Sequence, residues 1–329
     1  MIYKKDIKLM AFIASAMFWG SGYAADNSIY IDQTGDSGTY TVTQDGSGNK
    51  VKGIGQTVGS AGTDGTTAKF SGNAQTVSIT QTGANNVLSI GATTTQGGAL
   101  TGYSNIGVNI NYQVTGDGNT GIIDINNNNR GSSIGSAVAI TQAGGSASTI
   151  LKMTGSENSV NFNTRGGTGN SITATIDASN VTANVDQSGG GGNTTTLDIT
   201  GNKATTLITT VGATNTTSVT QSGGAGVDGQ YAKIDINGSG NTTTIDQSGL
   251  YDHIADVKEI GSSNVVSITQ SGGFSAGHYA KVDIGPSGTN TAGSSNRVTI
   301  TQSGAVDNYT NLKVSGSSNV YNIVQKLTP

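Results

Sequence analysis

The feature that most constrains this chain is a short phrase that recurs along it. One copy, "NVVSITQSGG", begins at Asn264, and close relatives of it end at Gly224, Gly249 and Gly304. The shared pattern is N-x-Φ-x-Φ-x-Q, where Φ is mostly apolar. Side chains alternate between the two faces of a strand, so the asparagine, the Φ residues and the glutamine lie on one face. Apolar residues do not recur at the three- and four-residue spacing of a helix, and the phrase therefore predicts a strand.

Each copy leads through a glycine-rich turn into a second alternating segment. "YAKIDINGSGN" from Tyr231 and "YAKVDIGPSGTN" from Tyr279 are near copies of that segment, 48 residues apart. It ends in G-S-x-N or a relative, whose asparagine opens the next phrase, so one unit is strand, turn, strand, turn. A unit of this size cannot bury its own apolar face and must stack on its neighbours. We therefore predict an all-β fold, a parallel β-solenoid of about ten rungs.

The spacing of the glutamines indicates the length of one unit. It is 23 residues from Gln247 to Gln270, but 34 residues from Gln187 to Gln221. A base period near 23, with Gly/Ser/Thr-rich additions at the turns, accounts for both values. The longer gaps around residues 105–165 contain degenerate units, in which Thr164 and Ile125 stand where a glutamine is expected.

The shared face predicts contacts between amides of successive units. Stacked strands lie about 4.7–4.9 Å apart, and a glutamine can donate to the amide above it while accepting from the one below. A buried amide without partners costs about 1–3 kcal/mol, which favours stacking in register. Asparagine has a second interpretation, as a turn residue that tolerates left-handed backbone. The predicted inward stacking residues are Gln44, Gln81, Gln142, Gln187, Gln221, Gln247, Gln270, Gln302, Gln325, Asn73, Asn241, Asn264, Asn296 and Asn319.

Composition excludes several other classes of protein. The chain has 51 Gly, 2 Pro and only 5% aromatic residues, too few core builders for a conventional globular domain of 329 residues. Its low proline and charge content is not typical of a disordered chain. It has no cysteine, so no disulfide can stabilise it. Its acidic balance gives no basic face for nucleic acid.

The first residues have the pattern of a secretory signal peptide. Lys4, Lys5 and Lys8 precede an apolar run from Leu9 to Gly20, and small residues follow, so we expect cleavage after Ala24. A retained membrane anchor is the alternative. Residues 25–329 would then form the repeat domain, and no segment of this mature chain is apolar enough to cross a membrane. Removing residues 1–24 lowers the count of basic residues from 16 to 13 and of acidic residues from 20 to 19.

A unit with inward Asn and Gln, Ser/Thr-rich strands and Q-x-G turns resembles the curlin repeat of bacterial curli subunits. The resemblance extends from about Ile29 to Gln325. It implies a secreted structural subunit that passes through the periplasm and assembles with itself into an extracellular, cell-surface amyloid fibre for adhesion and biofilm matrix. It also implies a nucleator subunit and a dedicated outer-membrane secretion pore as partners. Two features differ from the family pattern: the units are uneven, and no long segment precedes "SIYIDQTGDSG". These differences concern the export route.

Other functions are kept as alternatives. A solenoid that stays monomeric would be a surface adhesin or binding module. The last unit, "NVYNIVQKLTP", has no amphipathic cap, which favours polymerisation. A polysaccharide lyase or glycosidase would need clustered carboxylates on one face. We expect no catalytic residue, no metal and no cofactor.

Two further motifs have a specific and a general interpretation. "GGAGVDGQY" from Gly223 matches the start of a calcium-binding nonapeptide, but Gln230 occupies its apolar position and the match stands alone. Outward threonines before the glutamines could form a flat array that binds ice, although threonine is also a common strand residue. These threonines are Thr43, Thr80, Thr141, Thr220, Thr269 and Thr301.

Overall fold

The computed structural model describes thirteen segments of the chain. These are residues 26–34, 38–55, 60–72, 75–91, 99–102, 106–125, 134–154, 159–177, 181–201, 203–223, 229–272, 277–285 and 293–327. The predicted signal peptide with its cleavage site at Ala24, and the predicted stacking residue Asn73, lie outside them. Within these segments no helix is long and apolar enough to cross a membrane.

The described segments contain 26 strands. The first thirteen are β1 (Ser28–Ile29), β2 (Ile31–Thr34), β3 (Gly38–Asp45), β4 (Lys50–Lys52), β5 (Ala68–Gly72), β6 (Gln75–Thr82), β7 (Val87–Gly91), β8 (Ala99–Gly102), β9 (Ile106–Thr115), β10 (Thr120–Ile125), β11 (Ile134–Ala143), β12 (Ser148–Thr154) and β13 (Ser159–Arg165). The others are β14 (Ser171–Asp177), β15 (Thr182–Ser188), β16 (Thr194–Gly201), β17 (Ala204–Val211), β18 (Thr216–Gly223), β19 (Gln230–Asn237), β20 (Thr242–Gly249), β21 (Ile254–Ile260), β22 (Val265–Gly272), β23 (Tyr279–Ile284), β24 (Arg297–Gly304), β25 (Tyr309–Val314) and β26 (Val320–Leu327).

The strands form two long parallel sheets and a short third one. Sheet 1 has twelve strands in the order β1-β4-β7-β10-β12-β14-β16-β18-β20-β22-β24-β26. Sheet 2 has eleven strands in the order β3-β6-β9-β11-β13-β15-β17-β19-β21-β23-β25, and sheet 3 has β2-β5-β8. From β9 onwards the chain alternates between sheets 1 and 2, so each turn adds one strand to each sheet. The parallel β-solenoid predicted from the repeats is confirmed.

The core lies between the two long sheets. Along β22 the buried residues Val266, Ile268 and Gln270 alternate with the partly exposed Ser267 and Thr269, as the period-two pattern predicts. Most core side chains are Val, Ile and Ala, which suit a narrow space between sheets. The bulkiest fully buried residues are Tyr112 and Phe162, both in sheet 2. Because strands of each sheet pair in register, residues of one type can stack along the whole solenoid axis.

Candidate functional site

A column of asparagines runs along the turns that lead into sheet 1. In every described link of this column, the Oδ1 of one asparagine accepts a hydrogen bond from the backbone N–H of the next residue in the column, at 2.9–3.1 Å. Most of the Nδ2 groups donate to a glycine carbonyl of the next turn, as Asn264 does to Gly293 at 3.0 Å. The members of this asparagine column are Asn27, Asn49, Asn86, Asn119, Ala147, Asn170, Asn193, Asn215, Asn241, Asn264, Asn296 and Asn319.

The turn before each asparagine explains why this residue can reach the next turn. From Asn49 onwards, the residue immediately before each member of the column has a positive φ, for example Gly240 at 68° and Ser263 at 59°. Three residues before the asparagine lies a glycine, such as Gly238, whose φ is 153°. A Cβ on Gly238 would lie 1.6 Å from the carbonyl oxygen of Gly261. Only glycine therefore fits this position, and the spacing G-x-x-N follows from the stacking of the turns.

Four of the five predicted asparagines are part of this column, and the fifth, Asn73, lies outside the described residues. Asn241, Asn264 and Asn296 are buried, and Asn319 in the last rung is partly exposed. The upstream members of the column were missed from the sequence. Most of their phrases do not end in glutamine, although those that begin at Asn27 and Asn215 do. The spacing G-x-x-N identifies them, since it recurs from "GSGN" at Gly46 to "GSSN" at Gly316.

The glutamines form two columns, on different sheets. Gln44, Gln81, Gln142 and Gln187 lie in β3, β6, β11 and β15 of sheet 2, whereas the glutamines from Gln221 onwards lie in sheet 1. The base period of 23 predicts that the 34 residues between Gln187 and Gln221 form one lengthened unit. In the structure they contain two further strands, β16 and β17, and span one and a half turns. The phrase therefore changes sheet halfway along the solenoid.

The sheet 1 glutamines form a continuous ladder. Each Nε2 donates to the Oε1 of the next glutamine at 2.8 Å, through all four links from Gln221 to Gln325. The hydroxyl of Thr206 donates to the Oε1 of Gln221 at 2.6 Å and so closes the lower end of the ladder. Several Nε2 groups also donate across the core to sheet 2 carbonyls, as Gln270 does to Ile254 at 3.0 Å. The five ladder residues are Gln221, Gln247, Gln270, Gln302 and Gln325.

The sheet 2 column is interrupted. Gln44 donates to Gln81 at 2.8 Å, but Val114 is the next residue in register. Gln142 and Gln187 donate instead to threonine hydroxyls across the core, Gln187 to Thr195 at 2.5 Å. The sheet 1 amides thus stack on one another, whereas Gln142 and Gln187 in sheet 2 use only their Nε2 groups and leave the buried Oε1 atoms without a hydrogen-bond partner.

The degenerate units keep their places in these columns. Thr164 is in register with Gln142 and Gln187 in sheet 2. Ile125 is the first member of a series of registered residues that leads through β12, β14 and β16 to Gln221 in sheet 1. Both residues therefore occupy glutamine positions, as the sequence predicts, but in different columns.

Glu259 is a buried acid in the sheet 2 column. It lies between Ile236 and Ile284 in register and is fully buried. The hydroxyl of Thr243, from sheet 1, donates to its Oε1 at 2.5 Å, whereas its Oε2 has no hydrogen-bond partner. Burial raises the pKa of the Glu259 carboxyl to about 7, against a smaller lowering by the Thr243 hydrogen bond. The sequence gives no signal for this position beyond its register with the glutamines.

Two histidines stack at the turns into sheet 2. The rings of His253 and His278 are buried, with centroids 5.0 Å apart and planes 13° from parallel. Each Nδ1 accepts a backbone N–H of the next turn, from His278 at 3.0 Å and from Asn308 at 3.1 Å. The Nε2 of His253 lies within hydrogen-bond distance of the Ser248 carbonyl oxygen, at 3.1 Å. The Nε2 of His278 lies 2.9 Å from the Ser271 carbonyl oxygen. This geometry requires the neutral ring with its proton on Nε2.

The outward threonines and the calcium-like motif are the two weaker motifs of the sequence. Thr43, Thr80 and Thr141 are on the outer face of sheet 2, and the other three predicted threonines are on that of sheet 1. They form no single array. Residues 224–228 of the calcium-like motif lie outside the described segments, and Gln230 donates to the Ser222 carbonyl at 2.7 Å.

Comparison with known proteins adds no family to this description. No family model matches the chain, and no curated protein matches it.

Proposed function

We propose that the chain is a secreted structural subunit that stacks end to end with copies of itself into extracellular curli-like amyloid fibres for surface adhesion and biofilm matrix. The observation that carries the proposal is that its asparagine and glutamine ladders are directional and continue to the last described rung. Such ladders satisfy their amides in the interior and leave hydrogen-bonding capacity at the last rung, whereas the first glutamine of the ladder is already closed by Thr206.

The last rung exposes residues that are buried one turn earlier. In β24 the inward residues Val298 and Gln302 are fully covered. Their register partners in β26, Tyr321 and Gln325, are only partly buried. A further rung stacked on β26 would cover them, and burial of apolar surface stabilises such an association by about 25 cal/mol per Å².

The first rung has the same sequence spacing as the last, although its Gln33 lies in β2 of sheet 3 and only Asn27 takes part in the sheet 1 column. "NSIYIDQ" from Asn27 and "NVYNIVQ" from Asn319 both follow N-x-Φ-x-Φ-x-Q. Asn49 donates its N–H to the Oδ1 of Asn27 at 2.9 Å, which places Asn27 at the start of the asparagine column. A second copy stacked on β26 would place its own Asn27 N–H next to the Oδ1 of Asn319. This contact would continue the column between molecules.

The test uses residues 25–329 purified from denaturant, with thioflavin fluorescence followed over time, with and without preformed seeds. We expect a lag that seeds remove, and fibres in electron micrographs. Replacing the end residues together, Asn319→Ala with Gln325→Ala, should slow elongation while the monomer keeps its strand content by circular dichroism. The matched control is Lys326→Ala, which changes an exposed residue of the same strand. A lasting, dye-negative, soluble monomer would reject the fibre and favour the monomeric adhesin.

A further inference from the structure

The outer face of sheet 2 carries a checkerboard of charges on its last four strands. One registered column reads Lys233, Asp256, Lys281 and Asn311 along the solenoid axis. The column beside it, two residues further along each strand, reads Asp235, Lys258, Asp283 and Lys313. Signs therefore alternate both along each strand and between strands in all but the last rung. We call this surface the checkerboard face.

Contacts within the molecule already use part of this pattern. Lys233 lies 3.3 Å from Asp235 in the same strand, and Lys281 lies 3.0 Å from Asp256 in the neighbouring strand. The charged side chains nevertheless remain in contact with solvent, with 41% of Lys233 and 40% of Asp235 exposed. Exposed pairs of this kind contribute little to the stability of one molecule, about 0–1 kcal/mol each. They remain available to a partner of complementary pattern.

We propose that the checkerboard face is a lateral docking surface for the same face of a second, parallel copy of this chain. Consider a two-fold axis parallel to the solenoid axis and midway between the two charge columns. This axis places the column that begins with Lys233 opposite the second copy's column that begins with Asp235, with equal rungs facing each other. Lys233 then faces a second copy's Asp235, and Asp256 faces its Lys258. Every full pair is of opposite sign, so the pattern is complementary to itself.

The residues that flank the charges also match under this axis. On one side lies a column of large residues, Tyr231, Ile254 and Tyr279, with Tyr309 stacked on Tyr279 at 4.8 Å between ring centroids. On the other side Asn237 and Ile260 are in register, and Gly285 follows β23. The axis brings the large column against this second column, with Tyr279 opposite the glycine position. Tyr231 and Tyr279 thus meet smaller residues, while Ile254 faces Ile260 of the second copy.

The area of the checkerboard face indicates how strongly two copies can pair. Four strands span about 19 Å along the axis and seven residues about 20 Å along a strand, so each copy contributes roughly 400 Å². This is about half the area that each partner contributes to a standard interface. One pair is weak, and stacked copies would add their contacts along two fibres. The strength of lateral pairing therefore rests on the proposed end-to-end assembly.

The test compares the natural pattern with an inversion of its first three rungs, which keeps the composition, the net charge and the alternation among those six residues. The inverted chain carries Lys233→Asp, Asp235→Lys, Asp256→Lys, Lys258→Asp, Lys281→Asp and Asp283→Lys. Leu250→Cys, at a residue that is 68% exposed, gives one labelling site in a chain without cysteine. Donor- and acceptor-labelled samples are assembled separately, checked for fibres by electron microscopy, and then mixed while energy transfer is measured.

We expect energy transfer when natural is mixed with natural and when inverted is mixed with inverted. The natural and inverted mixture should transfer roughly tenfold less or lower still, because like charges then face each other. About 1 M salt should remove the difference, since it screens charges beyond about 3 Å. Equal transfer in all mixtures, or none between natural samples, would overturn the docking surface. Absence of fibres in the micrographs is a separate result that rejects end-to-end assembly. Because one pair is weak, the charge dependence of transfer is then measured on concentrated soluble chains, where it still decides the docking surface.

Discussion

The Nε2 of Gln270 lies 2.8 Å from the Oε1 of Gln302 in the next rung, and the Oε1 of Gln270 accepts from Gln247 at the same distance. Gln270 is therefore a central member of the ladder. Gln270→Ala should remove both links and leave a buried donor and a buried acceptor unpaired. We expect a loss of about 1–3 kcal/mol in the free energy of unfolding, measured by denaturant titration. The control is Thr269→Ala in the same strand, which points outward and should have a smaller effect. Equal losses from the two variants would contradict the ladder.

Ala147 interrupts the asparagine column between Asn119 and Asn170. Its backbone N–H donates to the Oδ1 of Asn119 at 3.0 Å, but alanine has no side-chain amide that could contact the next turn. Ala147→Asn should restore the missing acceptor for the N–H of Asn170 and stabilise the fold by about 1 kcal/mol. The midpoint of thermal unfolding should rise accordingly. Ala147→Leu adds side-chain volume without an amide and should not stabilise. If the two variants behave alike, volume rather than the column decides the effect.

The buried Glu259 makes stability depend on pH in one direction. Its pKa is about 7 in the fold, above the ordinary value of 4.5, so the folded state holds the proton more tightly. Its share of stability is complete below pH 4.5, falls as the pH rises towards 7, and is constant above that. Glu259→Gln removes this loss and should stabilise the fold by about 3 kcal/mol above pH 7, with little difference near pH 4. Denaturant titrations at several pH values measure this. A difference that does not change with pH would contradict it.

The buried His253 makes the stability of the fold depend on pH in the opposite direction. Burial lowers its pKa from 6.5 to about 4, and the neighbouring His278 ring adds to the lowering. The carboxylates of Asp252 and Asp307 act against this, as does the Ser248 carbonyl. The folded state therefore favours the neutral ring, and stability present above pH 6.5 is lost as the pH falls through about 4.

His253→Asn tests this dependence with a residue that the same column already uses. Asn308 donates to the Ser303 carbonyl at 3.4 Å, in the place where the histidines contact Ser248 and Ser271. The variant should lose less stability than the natural chain between pH 6.5 and pH 4, as followed by the denaturation midpoint. Adding His278→Asn, which removes the remaining ring, serves as the comparison. An unchanged acid slope in both variants would place the acid sensitivity elsewhere.

The alternation of residues in "NVVSITQSGG" was sufficient to predict the strands, their parallel stacking and the inward glutamines. It was not sufficient to assign each glutamine to a sheet. Both halves of a turn are alternating strands of similar length, so an added strand pair near β16 and β17 looks like a longer turn between Gln187 and Gln221. Only the registered pairing separates the two cases.

The buried acid and the checkerboard face depend on pairing between strands more than 20 residues apart. In the sequence, Glu259 is one of two glutamates of the repeat domain, and nothing near it marks its burial. "KID", "DVK" and "KVD" in β19, β21 and β23 likewise look like ordinary solvent-facing charges. Their signs alternate across the sheet only because the three strands stack without a shift in register.

The change of sheet by the glutamine ladder makes the solenoid uneven along its own axis. At the glutamine position, the sheet 1 strands β14 and β16 carry the buried Ile176 and Ile199, whereas the strands from β18 to β26 carry glutamine. A fibre of end-to-end copies would therefore not repeat at every rung. Its true longitudinal period would be one whole subunit, twelve sheet 1 strands or about 60 Å. Diffraction from aligned fibres should then show a long meridional spacing of this size beside the rung spacing of about 4.8 Å.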